Sequence, residues 1–343
     1  MQLPPMSKIA DGVYQIKVPM PHFNPPSINA YLIKGEAHSL LIDTGVDLDL
    51  CVGLLHNALT ELGVTMDTLD ILITHSHGDH TGMLHRFAAP ETKVYMNEFL
   101  RDYDGSYREY IDQLSKTVGI NYYTTGCNEI TPEEVYPPLI KLVSSLPIGG
   151  EHIYCKDGDV MHYGDRELIY LTTPGHCEDH CALYSPHDGM LFSGDLILNK
   201  TYPAISDFRF GDNHLSVYFE SLRKIDALNA QKVCPGHGAG FDINTRLEQT
   251  RQHHFNRTCY TADMLQKDEL TIDQLARKVN RKYHGKCWEQ LTPTQKFTAL
   301  AENLAYIALL QEYGIVHSRE WDDEVLHYSC IEYDPQTLCE LIF

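Results

Sequence analysis

Three histidines and one carboxylate fall within a single six-residue stretch: His75, His77, Asp79 and His80. The stretch directly follows Ile71-Leu72-Ile73, an apolar run that is typical of a strand. Neutral imidazole nitrogen and carboxylate oxygen are the ligands that Zn²⁺ and its neighbours prefer. A turn after a strand can direct such side chains around one ion. The stretch therefore predicts a metal site, with a histidine-rich surface loop as the alternative.

Three later segments repeat this arrangement, because in each of them an apolar run ends in a turn that carries one candidate ligand beside a glycine. The pairs are Gly175-His176, Gly194-Asp195 and Gly236-His237. A glycine next to a ligand adopts backbone angles that other residues resist, and it lets the chain approach the site closely. One glycine-histidine pair would be weak support, whereas four strand-end elements in one chain predict a shared metal centre.

The combined motifs resemble those of the metallo-β-lactamase fold superfamily, and the resemblance covers about residues 8–245. It implies an α/β fold, a four-layer αββα sandwich. It also implies two metal sites. His75, His77 and His176 would hold the first ion. Asp79, His80 and His237 would hold the second, and Asp195 would bridge the two.

Within the superfamily the chain looks most similar to hydrolases of esters, thioesters and lactones, namely glyoxalase II-like, lactonase-like and LACTB2-like proteins with a C-terminal winged-helix-like appendage. Two departures border the expected pocket, Cys177-Glu178-Asp179-His180 and Leu196. They concern the substrate and remove no ligand. Asp43 ends an early strand that also looks like the family's. It either orients a ligand histidine or caps a turn.

The expected chemistry is hydrolysis by a dinuclear metal site. Two ions that share a water lower its pKa from about 15.7 towards about 7, so a bridging hydroxide would attack the carbonyl carbon. Asp79 is the candidate catalytic residue, which orients the hydroxide and passes a proton to the leaving group. The expected cofactors are two divalent metal ions. Zinc is the first choice, and iron and manganese are alternatives because they accept the same ligands.

Three other functions are weighed against hydrolysis of an ester, thioester or lactone. They are a phosphodiesterase, a mononuclear-iron persulfide dioxygenase and a non-catalytic metal-containing binding or sensor module. The complete second ligand set argues against a single iron. The net charge of −20, from 47 acidic and 27 basic residues, disfavours nucleic acid and anionic membranes, because phosphate contact needs clustered Lys and Arg.

The ten cysteines follow no regular framework, and the start of the chain lacks the basic and apolar regions of a signal peptide. We expect reduced thiols in a cytoplasmic protein. Cys177 and Cys181 are either extra ligands or small buried residues, and the second interpretation is preferred. The expected partner is a small-molecule substrate, without nucleic acid or membrane, and a homodimer is left open.

The 343 residues suggest two domains. Residues 1–245 are predicted to form the catalytic domain, with a helical cap inserted at 97–148, and residues 246–343 a helical, winged-helix-like domain. This C-terminal part carries 11 basic and 15 acidic residues, which is unsuited to DNA. We interpret it as a packing, dimerisation or pocket-closing element.

Five aromatic residues are candidates for substrate binding: Phe23, Tyr103, Tyr107, Tyr110 and Tyr202. Phe23 belongs to a loop that lies beside the entrance to the metal site in similar proteins. The three tyrosines between 103 and 110 recur at helical spacing, and core packing is the alternative for them. The Tyr202 hydroxyl would donate to the oxyanion, or else the ring would pack on the core.

Overall fold

The first sheet contains seven strands that lie in sequence order. In this computed structural model the described residues are 4–21, 25–103, 123–131, 134–135, 149–206, 213–279, 285–321 and 324–343. The strands are β1 (Met6–Ala10), β2 (Val13–Pro19), β3 (Ser27–Ile33), β4 (Ser39–Ile42), β5 (Leu69–Leu72), β6 (Lys93–Asn97) and β7 (Glu151–Cys155). Pairing is antiparallel from β1 to β4 and parallel from β4 to β7. Every residue of β4 and β5 is buried, as in strands covered on both faces.

The second sheet contains five strands in the order β12-β11-β10-β9-β8. They are β8 (Val160–Tyr163), β9 (Arg166–Thr172), β10 (Cys181–Ser185), β11 (Met190–Gly194) and β12 (Lys232–Pro235). One hydrophobic core joins Ile42 and Leu72 of the first sheet to Tyr170 and Phe192 of the second. The Tyr31 and Phe192 rings meet edge to face, with centroids 5.3 Å apart. The two sheets therefore pack face to face, which confirms the predicted α/β sandwich.

Within the described residues between β4 and β12 the structure has the helices α1 (Asp49–Glu61), α2 (Gly78–Thr81), α3 (Leu84–Phe87) and α4 (His214–Asp226). In α1 the buried residues are Cys51, Leu54, Leu55, Ala58 and Leu59, the spacing of one apolar helix face. The sequence of this segment predicts an amphipathic helix at about 48–62, and α1 confirms it. For the next segment the sequence predicts one helix at about 81–88, but the structure has two short helices, because Met83, with φ −93° and ψ 5°, lies outside helical geometry.

The C-terminal part is mainly helical. Its elements are α5 (Ile243–Lys267), β13 (Leu270–Thr271), α6 (Ile272–Val279), α7 (Pro293–Glu312), β14 (Val316–Glu320), β15 (Leu326–Cys330) and α8 (Pro335–Ile342). The Thr292 hydroxyl accepts from Gln295 N–H at 3.3 Å, and the Gln295 side chain accepts from Thr292 N–H at 3.2 Å. This is a capping box followed by Pro at the first helical position. The sequence on either side of Asp322-Asp323 predicts a hairpin, and the antiparallel pairing of β14 and β15 confirms it, which agrees with a winged-helix-like appendage.

The chain divides into two compact units. The first comprises Met1–Tyr110, Lys141–Pro203 and Ser221–Arg246, and the second comprises Ile111–Ile140, Ala204–Glu220 and Leu247–Phe343. The domain boundaries expected from the sequence stay a prediction, and most of the predicted cap at 97–148 lies outside the described residues. Among the helices in the described ranges, none is both long and apolar enough to cross a membrane.

Candidate metal centre

The first ligand group consists of three imidazoles that meet at one point. His75 and His77 follow β5, and His176 follows β9. The distance from His75 Nε2 to His77 Nδ1 is 3.0 Å, and that from His176 Nε2 to His77 Nδ1 is 3.1 Å. Strands from the two facing sheets thus bring together the histidines that the resemblance implies for the first ion.

Burial favours the neutral form of two of these imidazoles, those of His75 and His77. Burial lowers the pKa of His75 well below its ordinary value, and the neighbouring His80 and His77 lower it further. Burial, followed by the adjacent His176, lowers the pKa of His77 to about 3. Neutral imidazole is the form that binds a metal ion, so the protonation state of His75 and His77 suits a ligand role.

The second group consists of Asp79, His80 and His237, and Asp195 faces it. His237 Nε2 lies 3.2 Å from Asp79 Oδ2 and 3.4 Å from Asp195 Oδ2. His80 Nε2 lies 3.9 Å from Asp79 Oδ2 and 3.6 Å from Asp195 Oδ2. The carboxylate of Asp195 is therefore shared by two histidines of this group, and with His75 and His80 it forms a further cluster of candidate ligands.

The carboxylates dominate the electrostatics of this group. Burial alone would lower the pKa of His237, but the facing Asp195 and Asp79 outweigh burial and raise it to about 10. Burial would raise the pKa of Asp195, but His237 and His80 hold it well below its usual range. Positive charge is therefore favoured between these side chains, and a divalent ion provides it when it displaces the imidazole protons.

Two atoms at the centre test whether an ion fits. Within the described part of the chain, His80 Nε2 and Asp195 Oδ1 are buried and have no hydrogen-bond partner. A buried polar group left in this state costs about 1–3 kcal/mol. The ligand atoms of each cluster also lie within 4.8 Å of one another. The donor set and its unsatisfied atoms therefore fit a divalent metal ion.

Asp43 orients one of these ligands. Its Oδ2 accepts from His80 Nδ1 at 2.8 Å and from the Thr74 hydroxyl at 2.8 Å, while its Oδ1 accepts from Thr74 N–H at 2.8 Å. With Nδ1 bonded to a carboxylate, His80 presents Nε2 to the site. The contacts agree with the orienting role considered for Asp43, rather than with a turn cap alone.

His180 lies directly behind a candidate ligand, and its sequence position alone does not predict this contact. Its Nε2 accepts the Asp195 N–H at 3.1 Å, so its proton is on Nδ1, which donates to the Thr173 hydroxyl at 2.8 Å. Burial lowers the pKa of His180 to about 3. The neutral ring therefore holds the backbone of Asp195. The only sequence signal was its place in the segment that follows His176.

Of the five aromatic residues considered for substrate binding, the structure describes the side chain of Tyr202. The Tyr202 ring lies under the guanidinium of Arg246, at 4.2 Å from the ring centroid, as the packing alternative expects, and donation from its hydroxyl stays a prediction. Phe23, Tyr107 and Tyr110 lie outside the described residues, as does the side chain of Tyr103.

The two cysteines near the site behave as small buried residues. Cys177 and Cys181 are buried free thiols, and neither belongs to a candidate metal cluster among the described residues. Burial raises the pKa of both thiols well above the ordinary value. This agrees with the preferred interpretation of these cysteines.

Known proteins resemble this chain in sequence. The family described as the metallo-beta-lactamase superfamily matches residues 24–237. "Probable metallo-hydrolase YqjP" of Bacillus subtilis is 23% identical over 336 residues, covering 94% of this chain and 99% of that protein. Human "Acyl-coenzyme A thioesterase MBLAC2" is 26% identical over 223 residues, covering 61% of this chain and 72% of that protein.

A solved structure shares the fold. The crystal structure of a beta-lactamase domain protein from Burkholderia ambifaria superposes with a TM-score of 0.79 at 22% identity, and covers 96% of this chain and 95% of that chain. Because the family match spans more than half of the chain and contains every candidate ligand, the chain belongs to the metallo-β-lactamase superfamily.

Proposed function

We propose that this protein is a metal-dependent hydrolase that uses two divalent ions to cleave an ester, thioester or lactone bond in a small molecule. The observation that carries the proposal is the convergence of seven histidine and aspartate side chains into overlapping clusters. Family membership and relatives named as a metallo-hydrolase and a thioesterase support hydrolysis as the type of reaction.

The two groups divide the ligands between two ions. His75, His77 and His176 would hold the first, Asp79, His80 and His237 the second, and Asp195 would contribute to both. Divalent ions bound there supply a Lewis acid for the carbonyl oxygen and acidify a water molecule that attacks the carbonyl carbon. Imidazole and carboxylate suit zinc first, and iron and manganese also.

Asp79 is the residue that we assign to proton transfer. Its side chain is 32% exposed, whereas that of Asp195 is 11% exposed. A carboxylate that faces both the ligands and solvent can orient the attacking water, accept its proton at Oδ and return that proton to the leaving oxygen or sulfur. Asp195 is buried between His80 and His237, so it is better suited to hold charge than to exchange protons.

Two other polar side chains beside the candidate centre are already engaged in hydrogen bonds. His180 is neutral and bonded at both ring nitrogens, and Asp43 is bonded to His80 and Thr74. The hydrogen bonds of both side chains are made to groups of the protein. They orient ligands, and Asp79 is left as the exposed acid–base group.

The substrate class rests on charge and on the relatives. A net charge of −20 opposes binding of a polyanionic phosphodiester, and the thioesterase relative favours an acyl compound. We place Phe23, Tyr103, Tyr107, Tyr110 and Tyr202 at the substrate as part of the proposal. An apolar face with a hydroxyl suits an acyl or ring-bearing group.

The test is a substrate panel combined with metal analysis. Protein purified without chelator should contain about two equivalents of metal per chain and should turn over a thioester, a lactone or an aryl ester faster than bis-p-nitrophenyl phosphate. Asp79→Asn should abolish turnover, whereas Asp67→Asn, at an exposed position outside the site, should not. One equivalent of metal, or turnover of the phosphodiester alone, would overturn the proposal.

A further inference from the structure

Strand β3 is hydrogen-bonded to the loop that carries His237. We propose that Asn29, a residue of β3, is a positioning residue for the metal group of Asp79, His80 and His237. Its side-chain amide fixes the loop at 235–238, and so the place of the His237 imidazole. The inference rests on the proposed function, because it needs two separate metal groups.

The Asn29 side chain bonds the loop on both sides of His237. It is 1% exposed, and its Nδ2 donates to Pro235 O at 2.9 Å and to Gly238 O at 2.8 Å. Both acceptors are carbonyl oxygens, so the amide nitrogen must face them. The Asn29 backbone N–H also donates to Gly236 O at 2.7 Å. One residue thus bonds three carbonyl groups next to His237.

The same strand selects the tautomer of His237. The ring donates from Nδ1 to Ser27 O at 2.9 Å, and because a carbonyl oxygen only accepts, the proton must be on Nδ1. Nε2 is then left to face Asp79 Oδ2 at 3.2 Å and Asp195 Oδ2 at 3.4 Å. Orientation of a ligand histidine through its second nitrogen is a general feature of metal sites.

Apart from Asn29, the loop is bonded by the Tyr31 hydroxyl, which donates to Pro235 O, and by Gly194 O, which accepts from Gly236 N–H at 2.8 Å. Gly236 and Gly238 offer no side chains, and Gly238 has a φ of +80°, which glycine adopts readily. A Cβ at Gly236 would collide with Asp195 Oδ1 and would lie 2.9 Å from His80 Cε1. The backbone therefore runs directly against two ligands, and a small shift of the loop changes the distance from His237 to Asp195.

A purely structural role predicts something different. If Asn29 only stabilises the sandwich, its loss lowers the melting temperature and affects both metal groups alike. If it positions His237, its loss weakens one group selectively. Removal of such an outer contact typically costs about 10–100-fold in metal affinity.

The experiment is a chelator-competition titration of metal-free protein with Zn²⁺. In the His176→Ala variant the group of Asp79, His80 and His237 is intact, so the titration measures Zn²⁺ binding at that group. In the His237→Ala variant it measures Zn²⁺ binding at the other group. Adding Asn29→Ala should weaken Zn²⁺ binding by about 10–100-fold in the first background and leave it unchanged in the second. Asn29→Ser, which keeps one donor, should fall between and serves if the alanine variant does not fold.

Tyr31→Phe is the matched control. The Tyr31 hydroxyl donates to Pro235 O at 2.8 Å from the same strand, so its removal breaks a β3–loop bond but leaves both Asn29 donors. We expect Tyr31→Phe to retain both affinities. Equal affinities with and without Asn29, or equal losses in both backgrounds, overturn the positioning role and leave the proposed function standing. A wild-type protein that binds one ion overturns both.

Discussion

Asp195 is the carboxylate that lies near candidate ligands of both groups. Its carboxylate faces His80 and His237, and it also belongs to a cluster with His75. Its backbone N–H is held by His180. Both the charge and the position of this residue are therefore determined by neighbours from different parts of the chain.

Ligand removal should separate the two groups. We expect His176→Ala to retain about one equivalent of metal per chain instead of about two, and Asp195→Ala to lose most of both, since an incomplete ligand set binds weakly. Elemental analysis of the purified variants is the measurement. His187→Ala, at an exposed histidine, is the control. Full metal content in Asp195→Ala would contradict the assignment of Asp195.

Gly194 should tolerate no side chain. It has a φ of +47°, and a Cβ there would lie 2.8 Å from His180 Nε2 and 2.9 Å from Thr74 Cβ. Gly63 has a φ of +71° with nothing within 4 Å, so Gly63→Ala measures backbone strain alone, about 1–2 kcal/mol. We expect Gly194→Ala to unfold at lower temperature than Gly63→Ala and to lose metal. Equal stability of the two variants would refute the steric argument.

Among the elements, the short segment 123–131 is bonded to helices α6 and α7 through Glu129. Its carboxylate accepts from Lys296 Nζ at 2.6 Å and from Arg277 at 2.7 Å, and Trp288 Nε1 donates to it at 3.3 Å. The hydrogen bonds from Lys296 and Arg277 lower the pKa of Glu129 to about 2. Three separate segments of the second unit thus meet at one carboxylate.

Glu129→Gln should destabilise the protein in a pH-dependent manner. The folded-state pKa of about 2 lies below the ordinary 4.5, so the stabilisation is present above the ordinary value and is lost as the pH falls towards 2. Glu129 is 45% exposed, and after discounting for solvent screening we expect a loss on the order of 1 kcal/mol at neutral pH.

Melting temperatures across that pH range measure the effect. The gap between wild type and Glu129→Gln should be full at pH 7 and should close as the pH falls. Glu332→Gln, at an exposed position, should show no such gap. A gap that is constant with pH would show that charge is not its cause.

The helical cap predicted at 97–148 can be tested through its tyrosines. If Tyr103, Tyr107 and Tyr110 line the pocket, changing any of them to Ala should alter the ranking of substrates while metal content is retained. If they pack in a core, each change should cost about 3–5 kcal/mol with the ranking preserved. A substrate series and a thermal midpoint on the same variants decide between these outcomes.

For the whole molecule, metal binding should contribute to stability. The net charge is −20, and two of the acidic side chains, Asp79 and Asp195, lie at the candidate metal centre beside its histidines. An ion that binds only the folded state stabilises it by about 2.7 kcal/mol at a concentration 100 times its Kd. We therefore expect the chelated protein to melt at lower temperature, and added Zn²⁺ to restore the wild-type value.

Mg²⁺ provides the control for this prediction, because it prefers oxygen ligands and retains its waters. It should not restore the melting temperature at the same concentration. Equal melting temperatures with and without Zn²⁺ would contradict a metal centre that is coupled to folding.

Much of the candidate site was predictable because its signals are local. The histidines at 75, 77 and 80 share one turn, and each later ligand stands beside a glycine at the end of an apolar run. Helix α1 and the β14–β15 hairpin follow from hydrophobic periodicity and turn residues in the same way. These features depend on neighbours within a few positions, so the sequence by itself determined the α/β class and the superfamily and was enough to predict the candidate ligands.

The tertiary structure alone decided which distant residues support the ligands. Asn29 and Pro235 are 206 positions apart, and they meet because a strand of one sheet lies beside a loop of the other. His180 reaches Asp195, Glu129 reaches Lys296, and Arg246 stacks on Tyr202 for the same kind of reason. Their side chains carry no periodic or local signal, since a hydrogen bond between remote segments exists only after the strands have paired and the sheets have packed.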